Sequence, residues 1–206
     1  MRKLILKMST SLNGFVCGPN GELDWMLAGD GGGSKAWQLA RAWEAGLHIM
    51  GRKSFNDMKG FWPFSDDDYA KPMNAIPKAC FSRHGPTDGG TRAPEDARRA
   101  GGEAEARNEG AVESWNAAPC LTGDLAEEIR TLKEANGKPI IAWGGAGFAR
   151  SLIPTGLIDE YQFLVHPVAI PAGLEIFSGL DAPLRLMLAG LERFDNGVVA
   201  KVLHPA

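Results

Sequence analysis

Residues 139–153, which read Pro-Ile-Ile-Ala-Trp-Gly-Gly-Ala-Gly-Phe-Ala-Arg-Ser-Leu-Ile, constrain the fold of this chain more than any other stretch. A short apolar run meets three glycines within four residues, and apolar residues then return with helical spacing at Phe148 and Leu152. This order predicts a strand, a tight turn and a helix. Glycine lets the backbone approach a ligand closely, and the first N–H groups of a helix attract anions. The stretch therefore predicts a phosphate site; the alternative is a plain turn between a strand and a helix.

A second stretch repeats this arrangement with charged residues. Residues 47–50 form a short apolar run, and Gly51, Arg52, Lys53 and Ser54 follow it directly. Two cations and a hydroxyl at the start of a helical turn can pair with phosphate oxygens. The alternative is a solvated cationic turn, because exposed Arg-Lys pairs are common on protein surfaces.

Length and charge limit the kind of protein and its partners. A chain of 206 residues suits one domain. Residues 85–111 contain no large aliphatic residue, which predicts a polar, solvated insertion without a chemical role. A formal charge of −3 and a pI near 5.8 argue against nucleic acid as the main partner, so we expect a small ligand.

Cysteine and histidine spacing gives no sign of a disulfide framework or a metal site. Cys17, Cys80 and Cys120 are odd in number and far apart, which is typical of a reduced, cytoplasmic protein. The four histidines are scattered, and we expect ordinary structural roles for them. The first residues lack a signal-peptide core, and no apolar segment approaches the length of a membrane span.

The remaining pattern predicts strands that alternate with helices. Trp37, Ala40 and Trp43 are expected to face the core from a helix over residues 35–45, and Asp124 is expected to cap a later helix. The predicted strands comprise residues 4–8, 47–50, 75–81, 120–121 and 161–168, the strand of the opening stretch, and a hairpin of residues 184–194 and 198–203 around an Asn-Gly turn. This order predicts an α/β sheet of about eight strands.

Five motifs in this order resemble the dihydrofolate reductase-like superfamily, and more closely its branch related to the RibD C-terminal reductase domain of riboflavin biosynthesis. They are Ser-Leu-Asn-Gly-Phe-Val at residues 11–16, Gly-Arg-Lys-Ser-Phe at 51–55, Ser-Arg at 82–83, Trp-Gly-Gly-Ala-Gly at 143–147, and Leu-Ile-Asp-Glu at 157–160 leading into His-Pro-Val at 166–168. The resemblance covers nearly the whole chain except residues 85–111.

The resemblance implies a single three-layer domain with a mixed, mostly parallel sheet, acting as an NADPH-dependent reductase of a small nitrogen heterocycle. Dihydrofolate reductase and 5-amino-6-(5-phosphoribosylamino)uracil reductase are the two implied types, and a homodimer is the implied assembly. In the family the two glycine turns hold the phosphates of the dinucleotide, and the Ser-Arg pair lies near the 2′-phosphate. The implied cofactor-binding residues are Gly51, Arg52, Lys53, Ser54, Ser82, Arg83, Gly144, Gly145, Ala146, Gly147 and Phe148.

Two departures from the family pattern concern catalysis. Asn13 stands where many relatives have aspartate, so a carboxylate contact is absent. Dihydrofolate reductases place a catalytic carboxylate after the opening loop; the candidates here are Asp24 and Asp30, and both could instead be turn residues. One alternative to a reductase is a dinucleotide-binding, oligomer-forming protein without turnover, and another is a binder of phosphate esters.

Aromatic residues in and near loops offer walls for a flat heterocycle, because planar ligands stack on aromatic rings. The alternative is ordinary packing in the core or under a lid. The predicted pocket residues are Asn13, Trp25, Phe55, Met58 and Trp62, with Phe64 beside them.

Overall fold

Eight strands form one mixed sheet in the computed structural model, which describes residues 1–27, 32–85 and 109–206. The strands are β1 (Leu4–Thr10), β2 (Leu47–Gly51), β3 (Lys78–Phe81), β4 (Cys120–Leu121), β5 (Ile140–Ala142), β6 (Glu160–Val165), β7 (Leu186–Arg193) and β8 (Val199–Pro205). Their spatial order is β4-β3-β2-β5-β1-β6-β8-β7. The first six in this order are parallel, and β8 and β7 continue the sheet antiparallel. The predicted fold class is confirmed.

Helices cover both faces of the sheet, because alternate residues of each parallel strand are buried on opposite sides. Ile140 and Ala142 pack in one cluster with Ile129 and Ala149, whereas Ile141 between them packs on the opposite side beside Ala45. The described helices are α1 (Asp24–Leu27), α2 (Gly32–Glu44), α3 (Arg52–Phe61), α4 (Ala70–Ala75), α5 (Glu109–Asn116), α6 (Leu125–Glu134) and α7 (Ala146–Leu152), with short 3₁₀ turns at Trp62–Phe64 and Ile153–Thr155.

The core-facing side of α2 differs from the predicted one. Ser34, Ala42 and, just beyond the helix, Ala45 are buried, while Ala40 is exposed and Trp43 is 44% exposed. Trp37 alone of the predicted trio packs against buried apolar residues. Small side chains let the helix lie close to the sheet, which leaves no room there for the indole of Trp43. The prediction for Ala40 and Trp43 was therefore wrong.

Other element boundaries also differ from the predictions, and the strand predicted over residues 161–168 spans Glu160–Val165. The strand predicted over residues 75–81 begins only at Lys78, because Ala75 ends α4 and Pro77 has no N–H to donate. Trp25 and Trp62, both expected on loops, lie in α1 and in the first 3₁₀ turn. Propensity could not show these single turns, since each is stabilised by packing rather than by its own sequence.

The C-terminal hairpin and the cap of α6 follow their sequence signals. Gly197 has φ of +80°, and the side chain of Asn196 accepts a hydrogen bond from the Val198 N–H at 3.2 Å. The same amide donates to Ser34 Oγ at 2.7 Å, which ties the hairpin to α2. Asp124 accepts from the Glu127 N–H at 3.0 Å, as expected of a helix cap.

Most of the predicted insertion over residues 85–111 lies outside the described residues. Its last part belongs to α5, which begins at Glu109 and buries Trp115 completely. Within the described ranges, none of the helices has the length and apolar character that crossing a membrane requires. The same ranges hold no cluster of three His, Cys, Asp or Glu side chains able to bind a metal.

Candidate functional site

The parallel strands end at one edge of the sheet, where the chain turns into its loops and helices. β2 ends at Gly51, β3 at Phe81 and β5 at Ala142, so the predicted phosphate turns follow neighbouring strands. In open α/β sheets, ligands bind in the crevice outside the carboxyl ends of the strands. The candidate site is built at this edge.

The two glycine turns, which the sequence presented as separate features, are in direct contact. The Gly51 N–H donates to the Gly144 carbonyl at 3.2 Å, and the Gly145 N–H donates to Ser54 Oγ at 2.7 Å. Ser54 is therefore a structural link between the turns. Because each turn opens a helix, these bonds fix the starts of α3 and α7 relative to each other.

Each glycine is required for a different physical reason. Gly144 has φ of +77°, and a Cβ there would come 2.5 Å from Met8 Sδ. Both the backbone conformation and this contact therefore exclude a side chain. Gly145 has φ of −57°, which any residue adopts, but its Cβ would come 2.9 Å from Ser54 Oγ. A Cβ on Gly51 would meet Phe148 Cβ at 2.7 Å. Gly145 is therefore restricted by this close contact and not by its backbone conformation, and its N–H is already bonded to Ser54.

Neither of these helix starts has a side-chain cap. Gly51 precedes α3 and Gly145 precedes α7, and neither glycine has a side chain that could accept a hydrogen bond from the first N–H groups of its helix. Asp124 does serve this purpose at the start of α6. Uncapped N–H groups and the positive ends of two helix dipoles make this region attractive to an anion.

Basic residues follow β2 and β3 beside the glycine turns. Arg52 is half-buried and Arg83 is exposed, and within the described ranges neither forms an ion pair. Lys53 pairs with Asp57 at 3.2 Å, but both side chains are largely exposed and such a pair contributes little. Ser82 is fixed by its N–H, which donates to the Leu121 carbonyl at 3.0 Å. The positive charges are therefore available to a ligand.

The other predicted cofactor-binding residues occupy the first turn of α7. Ala146 is buried, and Phe148 packs its ring 5.2 Å from that of Phe81, between centroids. A Cβ on Gly147 would have no neighbour within 4 Å, so this position faces open space. Gly147 is thus the residue of this turn at which a ligand could approach the backbone most closely.

A buried lysine, which the sequence reasoning missed, lies on the opposite face of β1 from Met8. Lys7 is 4% exposed, and its Nζ lies 4.7 Å from the centroid of the Trp143 ring and 3.4 Å from both Gln38 Oε1 and the Tyr69 hydroxyl. A charged residue inside a strand that is otherwise apolar was the available signal. A buried ammonium beside aromatic rings can bind a polar, electron-rich ligand.

His48 fixes the ring that covers this ammonium. The Trp143 Nε1–H donates to His48 Nδ1 at 2.7 Å. Burial, with smaller contributions from the charges of Lys78 and Lys7, lowers the pKa of His48 to about 3. The imidazole is therefore neutral at physiological pH, and its Nδ1 can accept the hydrogen bond from Trp143.

The predicted pocket residues separate into two groups. Phe55 and Met58 belong to a hydrophobic cluster around buried Trp115, and the Trp62 ring lies 5.5 Å from that of Tyr69. Tyr69 in turn contacts Lys7, so Trp62 borders the face that holds the ammonium.

Trp25 and Asn13 lie on the side of β6. The Trp25 ring meets His166 edge-on at 5.5 Å. The Asn13 amide donates to the Ile170 carbonyl at 2.9 Å and accepts from the Ile170 N–H at 3.2 Å. A carboxylate could not make both bonds, which explains why an amide suits this position.

Of the two candidate acids, Asp24 is the one that lies within the described residues. Asp24 is exposed and begins α1, where a carboxylate favours the helix dipole. Asp30 lies outside the described residues.

This strand order, with two contacting glycine turns at the carboxyl edge and an antiparallel C-terminal pair, defines a dihydrofolate reductase-like protein. The chain belongs to the RibD C-terminal domain family, whose sequence model matches residues 2–200. This is a reductase-like family whose members typically bind a nicotinamide cofactor.

Two Bacillus subtilis (strain 168) proteins are similar to the chain over almost its whole length. The uncharacterized protein YyaP is 27% identical over 208 residues, covering 98% of this chain and 95% of YyaP. The uncharacterized protein YwjB is 26% identical over 202 residues, covering 96% and 95%.

Solved structures share the fold at lower identity. A Shewanella sp. PV-4 protein named for riboflavin biosynthesis has a TM-score of 0.68 and 18% identity, with 99% of each chain covered. A pyrimidine reductase-like protein from Corynebacterium diphtheriae has a TM-score of 0.63 and 18% identity, covering 100% of this chain and 92% of that one. A diaminohydroxyphosphoribosylaminopyrimidine deaminase/5-amino-6-(5-phosphoribosylamino)uracil reductase from Thermotoga maritima has a TM-score of 0.62 and 12% identity, and this chain spans 57% of it.

Proposed function

We propose that the protein is an NADPH-dependent reductase of a small planar nitrogen heterocycle, either a riboflavin-precursor pyrimidine or a pterin. The observation that carries this proposal is the pair of uncapped helix starts, which Ser54 and Gly145 hold against each other at 2.7 Å. A pyrophosphate carries two adjacent phosphates, and two fixed helix starts offer N–H donors and dipole ends to both.

The basic residues favour NADPH over NADH in this proposal. Arg52 and Lys53 follow Gly51 directly, where they could neutralise the pyrophosphate. Arg83 follows β3, one strand further from the Gly-Gly turn, and it is free of ion pairs within the described ranges. We assign Arg83 and Ser82 to the 2′-phosphate, since a charge-assisted contact there would distinguish the two dinucleotides.

On the substrate side, we assign the main polar contact to Lys7. NADPH, when bound, supplies the hydride, and the protein supplies binding, orientation and electrostatics. The Lys7 ammonium can donate hydrogen bonds to a ring carbonyl or nitrogen, which stabilises the negative charge that builds up there during reduction. Trp143, held by His48, and Tyr69 with Trp62 provide aromatic surface beside it. Asp24 and Asp30 remain proposed proton donors.

We also propose that the protein works as a homodimer in the cytoplasm. The support for the assembly is the exposed apolar surface of the C-terminal strands, on which Leu188 and Leu191 are 58% and 60% exposed. The support for the location is three cysteines that are all free thiols.

The direct test combines binding and turnover. Calorimetric titration with NADPH and NADH should give tighter binding of NADPH. NADPH oxidation is then followed by absorbance with dihydrofolate and with the phosphoribosylamino-uracil substrate of pyrimidine reductases, and one of them should be reduced. Tight NADPH binding without oxidation in either assay would favour the dinucleotide-binding protein without turnover. Failure to bind either dinucleotide would refute the proposal.

A further inference from the structure

Two cysteines face each other across the edge of the sheet furthest from the C-terminal hairpin. Cys80 of β3 and Cys120 of β4 are register partners, so their side chains project from the same face of two parallel strands. Both residues pack in the hydrophobic cluster that contains Phe55 and Trp115, Cys80 as a buried member and Cys120 as a partly buried one. The nucleotide and substrate assignments above use neither thiol.

The strand geometry suits a disulfide between them. Neighbouring strands are about 4.8 Å apart in the hydrogen-bonding direction. A disulfide requires its Cα atoms to be about 4.4–6.8 Å apart with both Cβ atoms on the same side. Register partners on adjacent parallel strands meet the Cα and same-side requirements, and their Cβ atoms must then approach to about 3.5–4.5 Å, which asks for a small shift of the two-residue strand β4. Both cysteines are free thiols in the structure.

The two thiols differ in access, which gives each a separate role. Cys80 is 4% exposed, so an oxidant in solution reaches it poorly, and burial raises the pKa of its thiol to about 12, so the thiol keeps its proton until a neighbouring sulfenic acid takes it up as its hydroxyl leaves. Cys120 is half-buried on an edge strand and can be reached by a small oxidant. We propose that Cys80 and Cys120 are a peroxide-sensitive thiol pair in which Cys120 is oxidised first and Cys80 then closes a reversible disulfide.

The two steps balance with a peroxide as the oxidant. The Cys120 sulfur attacks one peroxide oxygen, the O–O bond breaks, and Cys120 becomes a sulfenic acid while the other oxygen leaves as water. The Cys80 sulfur then attacks the Cys120 sulfur, the S–O bond breaks, and the hydroxyl leaves as water with the Cys80 proton. Two thiols and one peroxide thus give one disulfide and two waters, and a dithiol reductant restores both thiols.

Closing this bond would fasten the edge strand to the rest of the sheet. β4 contains only Cys120 and Leu121; the Ser82 N–H donates to the Leu121 carbonyl at 3.0 Å, and the Cys80 N–H donates to the carbonyl of Pro119, just before β4, at 2.9 Å. A disulfide also closes a long loop in the unfolded chain, which favours the folded state. We therefore expect the oxidised protein to melt at a higher temperature than the reduced protein.

The test treats the folded wild-type protein with hydrogen peroxide and measures intact mass, peptide maps without reduction, and melting temperature. The expected product has lost the mass of two hydrogen atoms, contains a peptide linking Cys80 to Cys120, melts at a higher temperature, and reverts with dithiothreitol. Cys17→Ala is the matched control and should give the same product, whereas Cys120→Ala should not.

Three results would overturn the proposal. One is a wild-type map in which Cys120 carries two or three added oxygens with no linked peptide. Another is a linkage through Cys17 or between two chains. The third is thiols that all survive the peroxide while the unfolded protein is oxidised readily. Peptide mapping of the wild-type protein decides among these even if the Cys120→Ala variant fails to fold.

Discussion

Arg83 tests the preference for the 2′-phosphate at the scale of a single residue. Replacing it with alanine removes a charge-assisted contact worth about 1.5–3 kcal/mol, so NADPH affinity should fall about 10- to 150-fold. NADH lacks the 2′-phosphate, and its affinity should stay within about twofold. Calorimetric titration of both dinucleotides provides the measurement, with Arg130→Ala on the exposed side of α6 as the control. Equal losses for both dinucleotides would remove this assignment.

Gly145 tests the contact between the two turns. In Gly145→Val the new Cβ would lie 2.9 Å from Ser54 Oγ and would break the hydrogen bond that joins α3 to α7. We expect NADPH binding to be lost and the free energy of unfolding to fall by about 1–3 kcal/mol, since a buried N–H loses its acceptor.

The matched control for this variant is Gly110→Val. A Cβ at Gly110 would meet nothing within 4 Å, and the residue lies in α5, away from both turns. Calorimetry measures binding, and circular dichroism checks that both variants are folded. If Gly145→Val binds NADPH as tightly as the parent protein, the two turns do not form the phosphate site.

Lys7 tests the substrate side. Lys7→Met keeps most of the side-chain volume and removes the ammonium that lies 4.7 Å from the Trp143 ring. We expect turnover with the accepted heterocycle to fall at least about 100-fold, because the charge that stabilises the transition state is lost. NADPH affinity should change little, since the phosphate turns are untouched. Lys3→Met is the control, because Lys3 is exposed and, among the described residues, pairs only with Glu160. Unchanged turnover in Lys7→Met would exclude a role in reduction.

These residues show what single positions in the sequence could and could not reveal. The glycine turns could be predicted because positive φ and close packing both require glycine, which is visible in the sequence. Gly144 has both a positive φ and a close contact. Ser54 was assigned to phosphate, and its Oγ also accepts a hydrogen bond from the Gly145 N–H, a contact between residues far apart in the chain that the sequence does not reveal. The sequence shows Lys7 as a charged residue inside an apolar strand, but only the fold brings Gln38, Tyr69 and Trp143 around it.

At the scale of elements, periodicity predicted the order of strands and helices but not the faces of α2. Its two tryptophans suggested a buried aromatic side, whereas the helix lies on the sheet through Ser34 and Ala42. Hydrophobicity alone does not report how closely a helix must approach its neighbour. Boundaries shifted where a proline ended a run of hydrogen bonds, as Pro77 does before β3.

Lys78 offers a test at the junction of β3, α4 and α5. It is 3% exposed, and its Nζ donates to the Asn74 carbonyl at 3.0 Å and to Ser114 Oγ at 2.7 Å. Burial lowers its pKa from 10.5 to about 8. Between these two pH values the unfolded chain holds a proton that the folded protein has released, so stability rises with pH.

We expect the free energy of unfolding of the wild-type protein, relative to Lys78→Met, to increase by up to about 3 kcal/mol between pH 7 and pH 10.5. Urea unfolding of both proteins across this range measures the difference. Lys138→Met, at an exposed lysine, should follow the wild-type curve. Parallel curves for wild type and Lys78→Met would show that the ammonium is not destabilised by burial.

At the scale of the whole molecule, the two ends of the sheet are covered unequally. Helices cover the parallel strands on both faces, but on the face of β8 and β7 that continues from Tyr161 and Phe163, the side chains of Leu188 and Leu191 remain 58% and 60% exposed. Phe177, which lies between β6 and β7 and whose ring meets that of Phe163 at 5.8 Å between centroids, is also exposed at 40%. An open apolar face of this kind marks an interaction surface.

A second copy of the chain is the partner that we expect on this face. Burying it in a symmetric pair would remove several large apolar side chains from water, each worth about 1.5–3 kcal/mol. Leu188→Glu should therefore convert a dimer into a monomer at micromolar concentration, as measured by light scattering. Met187→Glu is the matched control: Met187 is equally exposed at 58% and sits next to Leu188, but it projects from the opposite face of β7. A monomeric parent protein would refute the dimer. If Leu188→Glu remains a dimer and Met187→Glu becomes a monomer, the interface lies on the other face of the hairpin.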